Sequence, residues 1–427
     1  MLSAPIDTAP RRYPPGLHVH RRSSRGPDTA PPTTTLVEIA AWLLSEALAE
    51  DDLMLLFESL AWRLKAAGLP FERSSLSVGT LHPQLVGFSW YWNARDGFCD
   101  EIKITSEARD RDAYRQSPLY QVIELGEQVR CDPQDPATRK SFPLMQDLLE
   151  EGFTDYYAMP LRGGGSYHNV VTIATRRDGG FPEPELLELK QILSLFALHV
   201  ERHILNRIAG NVMDTYLGHA AGKKVLNGAI TRGDGEAVRA VIWVSDLRGF
   251  TDLSDRLAGE DVMKILNAYF ERQAGAVMAH GGEVLKFIGD GMLAVFPYDC
   301  AETGASAAQA AVDASHQVLR EMRQLNSEPP PELARIEGWG ELSCGIGLHA
   351  GDVFFGNVGA PERLDFTVIG RAVNITARIE DLTKTIGQPV LISDQVAGHL
   401  SCPLEHHGHH RLRGLSEEMA LFSPQAC

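Results

Sequence analysis

The sequence predicts two mixed α/β (α+β) domains with a helical connector between them. Three observations carry that expectation. Apolar residues at helical spacing alternate with strand-like runs on both sides of residue 200. A narrow apolar stripe, Ile204, Leu205, Ile208, Val212 and Tyr216, lies between the two regions. A polar, Gly-rich break, Thr231-Arg232-Gly233-Asp234-Gly235-Glu236, follows the stripe. The 427 residues are enough for two ordinary domains, and 44% hydrophobic residues are enough to bury a core in each.

Residues 1–34 are rich in Pro, Arg, Ser and Thr and show no periodic apolar face, so a disordered tail is expected. Residues 35–200 read as the first domain. Leu36, Ile39, Ala40, Leu43 and Leu44, then Leu53, Leu56, Leu60 and Leu64, repeat at helical spacing. Leu85–Tyr91 is strand-like. Asp155–Leu161 and Asn169–Ala174 flank Gly163-Gly164-Gly165, the pattern of a hairpin. A phosphate loop would want Lys-Ser or Lys-Thr after the glycines, and neither follows. Pro182–Val200 reads as a helix with proline near its start. Helix, strands, hairpin and closing helix, in that order, resemble a GAF-type sensory domain. The resemblance implies a regulatory domain with a small-molecule or protein effector. Residues 201–234 form the helical connector, whose stripe suits ordinary packing or dimerisation equally.

The formal net charge is −16. Residues 1–34 carry +3, residues 35–234 carry −8 and residues 235–427 carry −11. The acidity therefore belongs to the folded parts, which lack the basic face that nucleic acid or an anionic membrane requires. No apolar run reaches the roughly 18 residues of a membrane span. Cys99, Cys131, Cys300, Cys344, Cys402 and Cys427 are scattered without a CxxC. That spacing argues against a disulfide framework or a zinc ribbon and suits a reducing cytoplasm. His406-His407-Gly408-His409-His410 lacks acidic or thiol ligands at metal spacing and reads as an exposed hairpin.

Residues 235–427 form the second domain. Val238–Ser245 is a buried-strand run that ends in Asp246. Leu247-Arg248-Gly249-Phe250-Thr251 follows as a tight turn before a helix that carries Leu253, Leu257, Met263, Leu266, Phe270 and Val277. A strand-end carboxylate beside helix-start N–H groups can hold a divalent cation next to a phosphate. Glu283–Phe287 and Met292–Phe296 flank Ile288-Gly289-Asp290-Gly291, a hairpin with an aspartate at its tip. Two carboxylates so placed form the layout for two metal ions and in-line displacement at phosphorus. Leu364–Glu380 reads as strand, Gly turn and helix. Asn374 and Arg378, four residues apart, share one helix face.

The runs Asp246–Thr251 and Lys286-Phe287-Ile288-Gly289-Asp290, and Phe366-Thr367-Val368-Ile369-Gly370 with Val373-Asn374 and Arg378, resemble the class III nucleotidyl cyclase domain in order and spacing. The resemblance implies a ferredoxin-like core in a head-to-tail homodimer with two active sites at the subunit interface. It implies that Asp246 and Asp290 bind two Mg²⁺ or Mn²⁺ per site. Leu247, Arg248, Gly249, Phe250 and Thr251 would cradle the β- and γ-phosphates. Lys286 and Thr367 would read the purine from the partner subunit. Asn374 would orient the ribose, and Arg378 would meet charge developing at the α-phosphorus. The ribose 3′-hydroxyl would attack that phosphorus and expel pyrophosphate.

Adenine presents an acceptor at N1 and a donor at its 6-amino group. The Lys286 ammonium only donates and the Thr367 hydroxyl can accept, so the pair suits ATP. Guanine reverses both edges, and a buried mismatch of that kind discriminates strongly. The resemblance therefore implies an adenylate cyclase. Two positions depart from the pattern. Gly345 stands where many members have Arg, and Arg371 stands where an acidic residue is often found. Arg413, in Leu412-Arg413-Gly414, matches a basic position that contacts the triphosphate. The alternatives are a ligand-sensing pseudoenzyme, which the presence of both aspartates and Arg378 disfavours, and a guanylate cyclase, which Lys286 and Thr367 disfavour. A diguanylate cyclase would want a Gly-Gly-Asp/Glu-Glu-Phe hairpin, which Ile288–Gly291 does not provide.

Overall fold

The computed structural model describes residues 9, 11, 13–161, 169–413 and 418–425. The chain divides into two compact units, with the boundary between Val212 and Met213.

The first unit is built on a seven-stranded antiparallel sheet. Its elements are β1 (Leu17–Ser23), α1 (Leu36–Leu43), α2 (Leu53–Ala66), β2 (Arg73–Gly79), β3 (Leu85–Asn93), β4 (Cys99–Thr105), α3 (Ser106–Asp110), α4 (Asp112–Arg115), α5 (Pro118–Leu125), β5 (Val129–Cys131), α6 (Pro136–Ser141), α7 (Leu144–Glu150), β6 (Asp155–Leu161), β7 (Asn169–Thr175) and α8 (Glu183–Leu217). The strand order is β1-β4-β3-β2-β7-β6-β5. Alternation along the strands separates two cores. Leu76, Val78, Phe88, Trp90 and Trp92 face one way and pack on α2 and α8. Tyr156, Ala158, Val170 and Ala174 face the other way and pack on Val122 of α5 and on Met145 and Leu148 of α7. Local signals fix the helix starts. Thr35 and Glu38 form a capping box on α1, Asp52 caps α2 and Ser117 caps α5.

Within the stretch 1–34, expected to be a disordered tail, the described residues include a strand. Leu17–Ser23 is an edge strand paired with β4. Charge compensation holds it there. The fully buried Asp100 carboxylate meets Arg22 at 2.6 Å and Arg11 at 3.1 Å, and accepts from the Tyr13 hydroxyl at 2.5 Å. The equally buried Glu101 meets Arg21 at 2.6 Å and Arg207 of α8 at 2.8 Å. Burial alone would raise both carboxyls, but these cations outweigh it and hold them below the usual range. Arg11, Arg21 and Arg22, which contribute to the positive charge of this stretch, are thus counterions of buried acids. The Gly163-Gly164-Gly165 turn lies outside the described residues, while β6 and β7 on either side pair antiparallel.

The closing helix expected over Pro182–Val200 and the start of the helical connector expected from residue 201 are continuous. α8 is one helix of 35 residues. It ends at Gly218, whose φ of 82° is open to glycine. α9 (His219–Leu226) follows, and its Ala221 is buried among Ala240, Ile242 and Leu285 of the second unit. The far half of the expected connector is therefore part of that unit.

The second unit continues with β8 (Gly235–Leu247), α10 (Phe250–Arg256), α11 (Gly259–Ala279), β9 (Glu283–Ile288), β10 (Gly291–Tyr298), α12 (Ala301–Ser327), α13 (Pro331–Ala334), β11 (Cys344–Ala360), β12 (Arg363–Ile369), α14 (Arg371–Ile386), β13 (Val390–Ser393), α15 (Asp394–Ala397), β14 (Leu404–Arg411) and β15 (Glu418–Pro424). The sheet runs β14-β15-β13-β11-β8-β10-β9, and β12 pairs with β11. Within it, β8-α11-β9-β10-α12-β11 is a β-α-β-β-α-β succession in the order β11-β8-β10-β9, antiparallel throughout, as in a ferredoxin-like core. Trp243 on β8 packs with Ile265 and Tyr269 of α11 and Ala308 of α12, while its neighbour Ile242 faces the side covered by α9. The histidine run lies on β14, paired with β15. Among the described residues, no group of three or more His, Cys, Asp or Glu side chains could hold a metal ion. No described helix is long and apolar enough to cross a membrane.

Candidate active site

The two aspartates meet where β8 ends and the β9–β10 hairpin turns. Met292 pairs with Ser245, which brings Gly291 to the level of Asp246. A Cβ at Gly291 would lie 3.0 Å from the Ser245 carbonyl and 3.5 Å from Asp246 Oδ1, so the tip closes on the strand end. Burial lifts the Asp290 carboxyl above its ordinary value, and the charge of Asp246 lifts it further. Two like charges held this close call for a cation. In the protein as it stands, Lys384 of α14 supplies one, with Nζ 3.3 Å from Asp246 Oδ2.

A third carboxylate faces the pair. Glu380 is 4% exposed, and burial followed by the Asp246 charge pushes its carboxyl up to about 7. It fills the space beside Gly345, which is opposite Asp246 in the β8–β11 register. A Cβ at Gly345 would fall 2.4 Å from both Glu380 Oε1 and Thr383 Oγ1. A Cβ at Gly347 would meet the backbone, 2.6 Å from Glu380 N and 2.7 Å from Thr376 O. α14 thus lies directly on the glycines of β11. The missing Arg at Gly345 has a packing reason, because Glu380 and Thr383 occupy its place.

Leu247 is buried, and the Arg248 N–H donates to Ser343 O at 2.8 Å, which fixes the turn. Gly249 adopts φ 73° and starts α10. The first bond there runs from Leu253 N–H to Gly249 O, so the N–H groups of Phe250, Thr251 and Asp252 precede the helical ladder. On β9, Lys286 Nζ donates to Asp365 Oδ2 at 2.7 Å. Asp365 stands two residues before Thr367 on β12, on the same strand face. Thr367 is 7% exposed, and its hydroxyl has no hydrogen-bond partner. Asn374 is exposed and Arg378 half-buried along one side of α14. Arg371, exposed, opens that helix, and Arg413 is exposed in the turn after β14. The structure therefore brings together Asp246, Asp290, Lys384 and Glu380 as one group and Lys286, Asp365 and Thr367 as a second. Among the described residues, no side-chain hydrogen bond ties Asn374, Arg378 or Arg413 to either group.

Residues 236–423 match the family model of the adenylate and guanylate cyclase catalytic domain. The chain is 37% identical over 168 residues to an adenylate cyclase of Anabaena cylindrica, covering 39% of this chain and 31% of the relative. It is 32% identical over 152 residues to adenylate cyclase 1 of Rhizobium meliloti, covering 36% and 22%. The chain thus spans less than a third of the length of these relatives. A bacterial light-regulated adenylyl cyclase shares 26% identity at a TM-score of 0.43, covering 55% of this chain and 64% of that one.

The donor set where β8 ends and the β9–β10 hairpin turns fits a hard divalent cation. Mg²⁺ is commonly held by one or two carboxylates, with substrate phosphates and water completing the shell. Asp246 and Asp290 supply that number. Sequence reasoning missed Lys384, Glu380 and Asp365. Glu380 and Lys384 are four apart on α14 and read as an ordinary surface pair. Their partner across the sheet, Asp246, is more than 130 residues away, and nothing local points to it.

Proposed function

We propose that the chain is an adenylate cyclase that converts ATP to 3′,5′-cyclic AMP and pyrophosphate. The observation that carries the reading is the Asp246–Asp290 pair, two carboxylates held together at a strand end beside the Leu247–Thr251 turn. Asp246 and Asp290 would hold two Mg²⁺ or Mn²⁺ ions. When bound, these lower the pKa of the ribose 3′-hydroxyl and offset the phosphate charge.

The remaining steps rest on side chains and backbone of this chain. The N–H groups opening α10 meet the β- and γ-phosphates. Asn374 orients the ribose so that its 3′-oxygen lies in line with the leaving pyrophosphate. Arg378, four residues on, meets the charge that grows on the α-phosphoryl oxygens, where a fixed cation counts most in the transition state. Lys286 keeps two ammonium protons after donating to Asp365, and one serves adenine N1. The unpartnered Thr367 hydroxyl accepts from the 6-amino group. The active site is completed by a second copy of the chain, arranged head to tail. The first unit regulates the reaction, and its three-layer form supports the GAF-like reading.

The test is to incubate the purified full-length protein with Mn²⁺ and either ATP or GTP and to measure cyclic product. Cyclic AMP from the wild type and none from Asp290→Ala is the expected result. Cyclic GMP as the main product, or no product from either nucleotide, would overturn the reading.

A further inference from the structure

The first unit contains a cavity of about 220 Å³ between its sheet and α3–α5. It is open to solvent on one side, and its depth has a structural origin. That origin lies in the sheet face beneath it. Toward β6 and β7 the face carries Tyr156 and Val170, and α5 and α7 fill in against them. Toward β2 and β3 it carries Ser77, Gly79, Gly87 and Ser89, with Ser77 opposite Ser89 and Gly79 opposite Gly87. Small side chains leave the floor low, while the walls above it, Leu119 and Ile123 of α5 among them, remain apolar.

The polar groups inside are few and neutral. Ser77 Oγ and Ser89 Oγ share a 2.6 Å hydrogen bond, both buried, and Ser89 also faces the Tyr91 hydroxyl. Such hydroxyls can donate and accept without charge. The cations at the rim are already offset. Arg109 donates to Glu124 at 2.7 Å, Tyr114 donates to the same oxygen at 2.9 Å, and Arg111 pairs with Glu107. The site therefore offers an apolar body, one neutral hydrogen-bonding edge and no uncompensated positive charge.

We propose that this cavity binds a compact, uncharged and mostly apolar molecule with one hydrogen-bonding group, of the class of a phenol or an indole. The scale is right, since an apolar protein cavity of about 150 Å³ already holds benzene. A lining that is mostly apolar with a few convergent polar groups is also the usual make-up of a small-molecule site. The rim disfavours an anion, including a cyclic nucleotide, because its desolvation would go unmatched.

Isothermal titration calorimetry of the full-length protein, without nucleotide substrate or metal, tests this apart from the cyclase reading. The probes are phenol, indole, benzoate and cyclic AMP. The expected result is saturable binding of phenol or indole, at least about tenfold tighter than benzoate or cyclic AMP. Ala113→Trp, at an exposed lining position, should weaken that binding by at least about tenfold with an unchanged melting temperature. Ser77→Leu, which raises the floor, should do the same, and if it fails to fold Ala113→Trp alone decides. The absence of phenol and indole binding by the folded wild type, unaltered affinity in Ala113→Trp, or tighter binding of either anion would each overturn the proposal.

Discussion

Glu380 titrates near neutrality because it is buried and because Asp246 lies close by. Its ordinary value is 4.5, and in the folded protein it is about 7. The folded state therefore binds more protons than the unfolded state between those values. Stability of the metal-free protein should be greatest below about pH 4.5 in this contribution, fall as pH rises to 7 and stay level above. Glu380→Gln should remove that fall, read as urea midpoints at pH 5 and pH 8 in the presence of a chelator. The wild type should lose more between the two than the variant. At the neighbouring Asp290, substitution by Ala should lower kcat by about a hundredfold or more, because a charge that serves the transition state has been removed. A chelated wild type and an untreated Asp290→Ala protein should then show similar residual rates.

Strand β1 and helix α14 make the case at the level of elements. β1 was hard to read because its stabilising partners, Asp100 and Glu101, are about eighty residues away on β4. A faint alternation, Leu17-His18-Val19-His20, was present but was masked by Pro and Arg around it. Arg22→Ala should cost about 1–3 kcal/mol at neutral pH by leaving the buried Asp100 short of a partner. Since the Asp100 carboxyl is held below its usual value, that contribution is present above pH 4 and is lost as acid protonates the folded form. The difference between the two proteins in denaturant melts should therefore be smaller at pH 3 than at pH 7. Gly347→Ala should cost about 1–3 kcal/mol by pressing a methyl group into the α14 backbone, visible as a lowered melting temperature. The helix, hairpin and strand-end positions of the second unit were legible because each depends on local pattern. The continuity of α8 was less so. No Pro falls between Val200 and Leu217, and the only interior glycine, Gly210, does not break the helix.

For the whole molecule, charge sets the constraint. The region from 235 to 427 carries −11, yet the proposed substrate is a polyanion. An acidic surface repels such a ligand unless local cations reverse the field. ATP affinity, measured by calorimetry with Asn374→Ala protein to prevent turnover, should fall by at least about tenfold when Mg²⁺ is withdrawn. Equal affinity with and without the cation would contradict the roles assigned to Asp246 and Asp290. The division into two mixed units was legible from composition and periodicity. The place of the boundary was not, because the burial of Ala221 depends on strands that follow it in the chain.

The contact of Gly345 with Glu380 and Thr383 also bears on how this sequence can change. A long basic side chain at 345 would have to displace the Glu380 carboxylate and the Thr383 hydroxyl, which already stand where it would go. Shrinking Glu380 or Thr383 first would open a void beneath α14. The three positions are therefore epistatic, and the order of replacement matters. Descendants of this sequence should keep glycine, glutamate and threonine together or exchange them together. While this packing is kept, the proposed triphosphate would be met by cations from elsewhere.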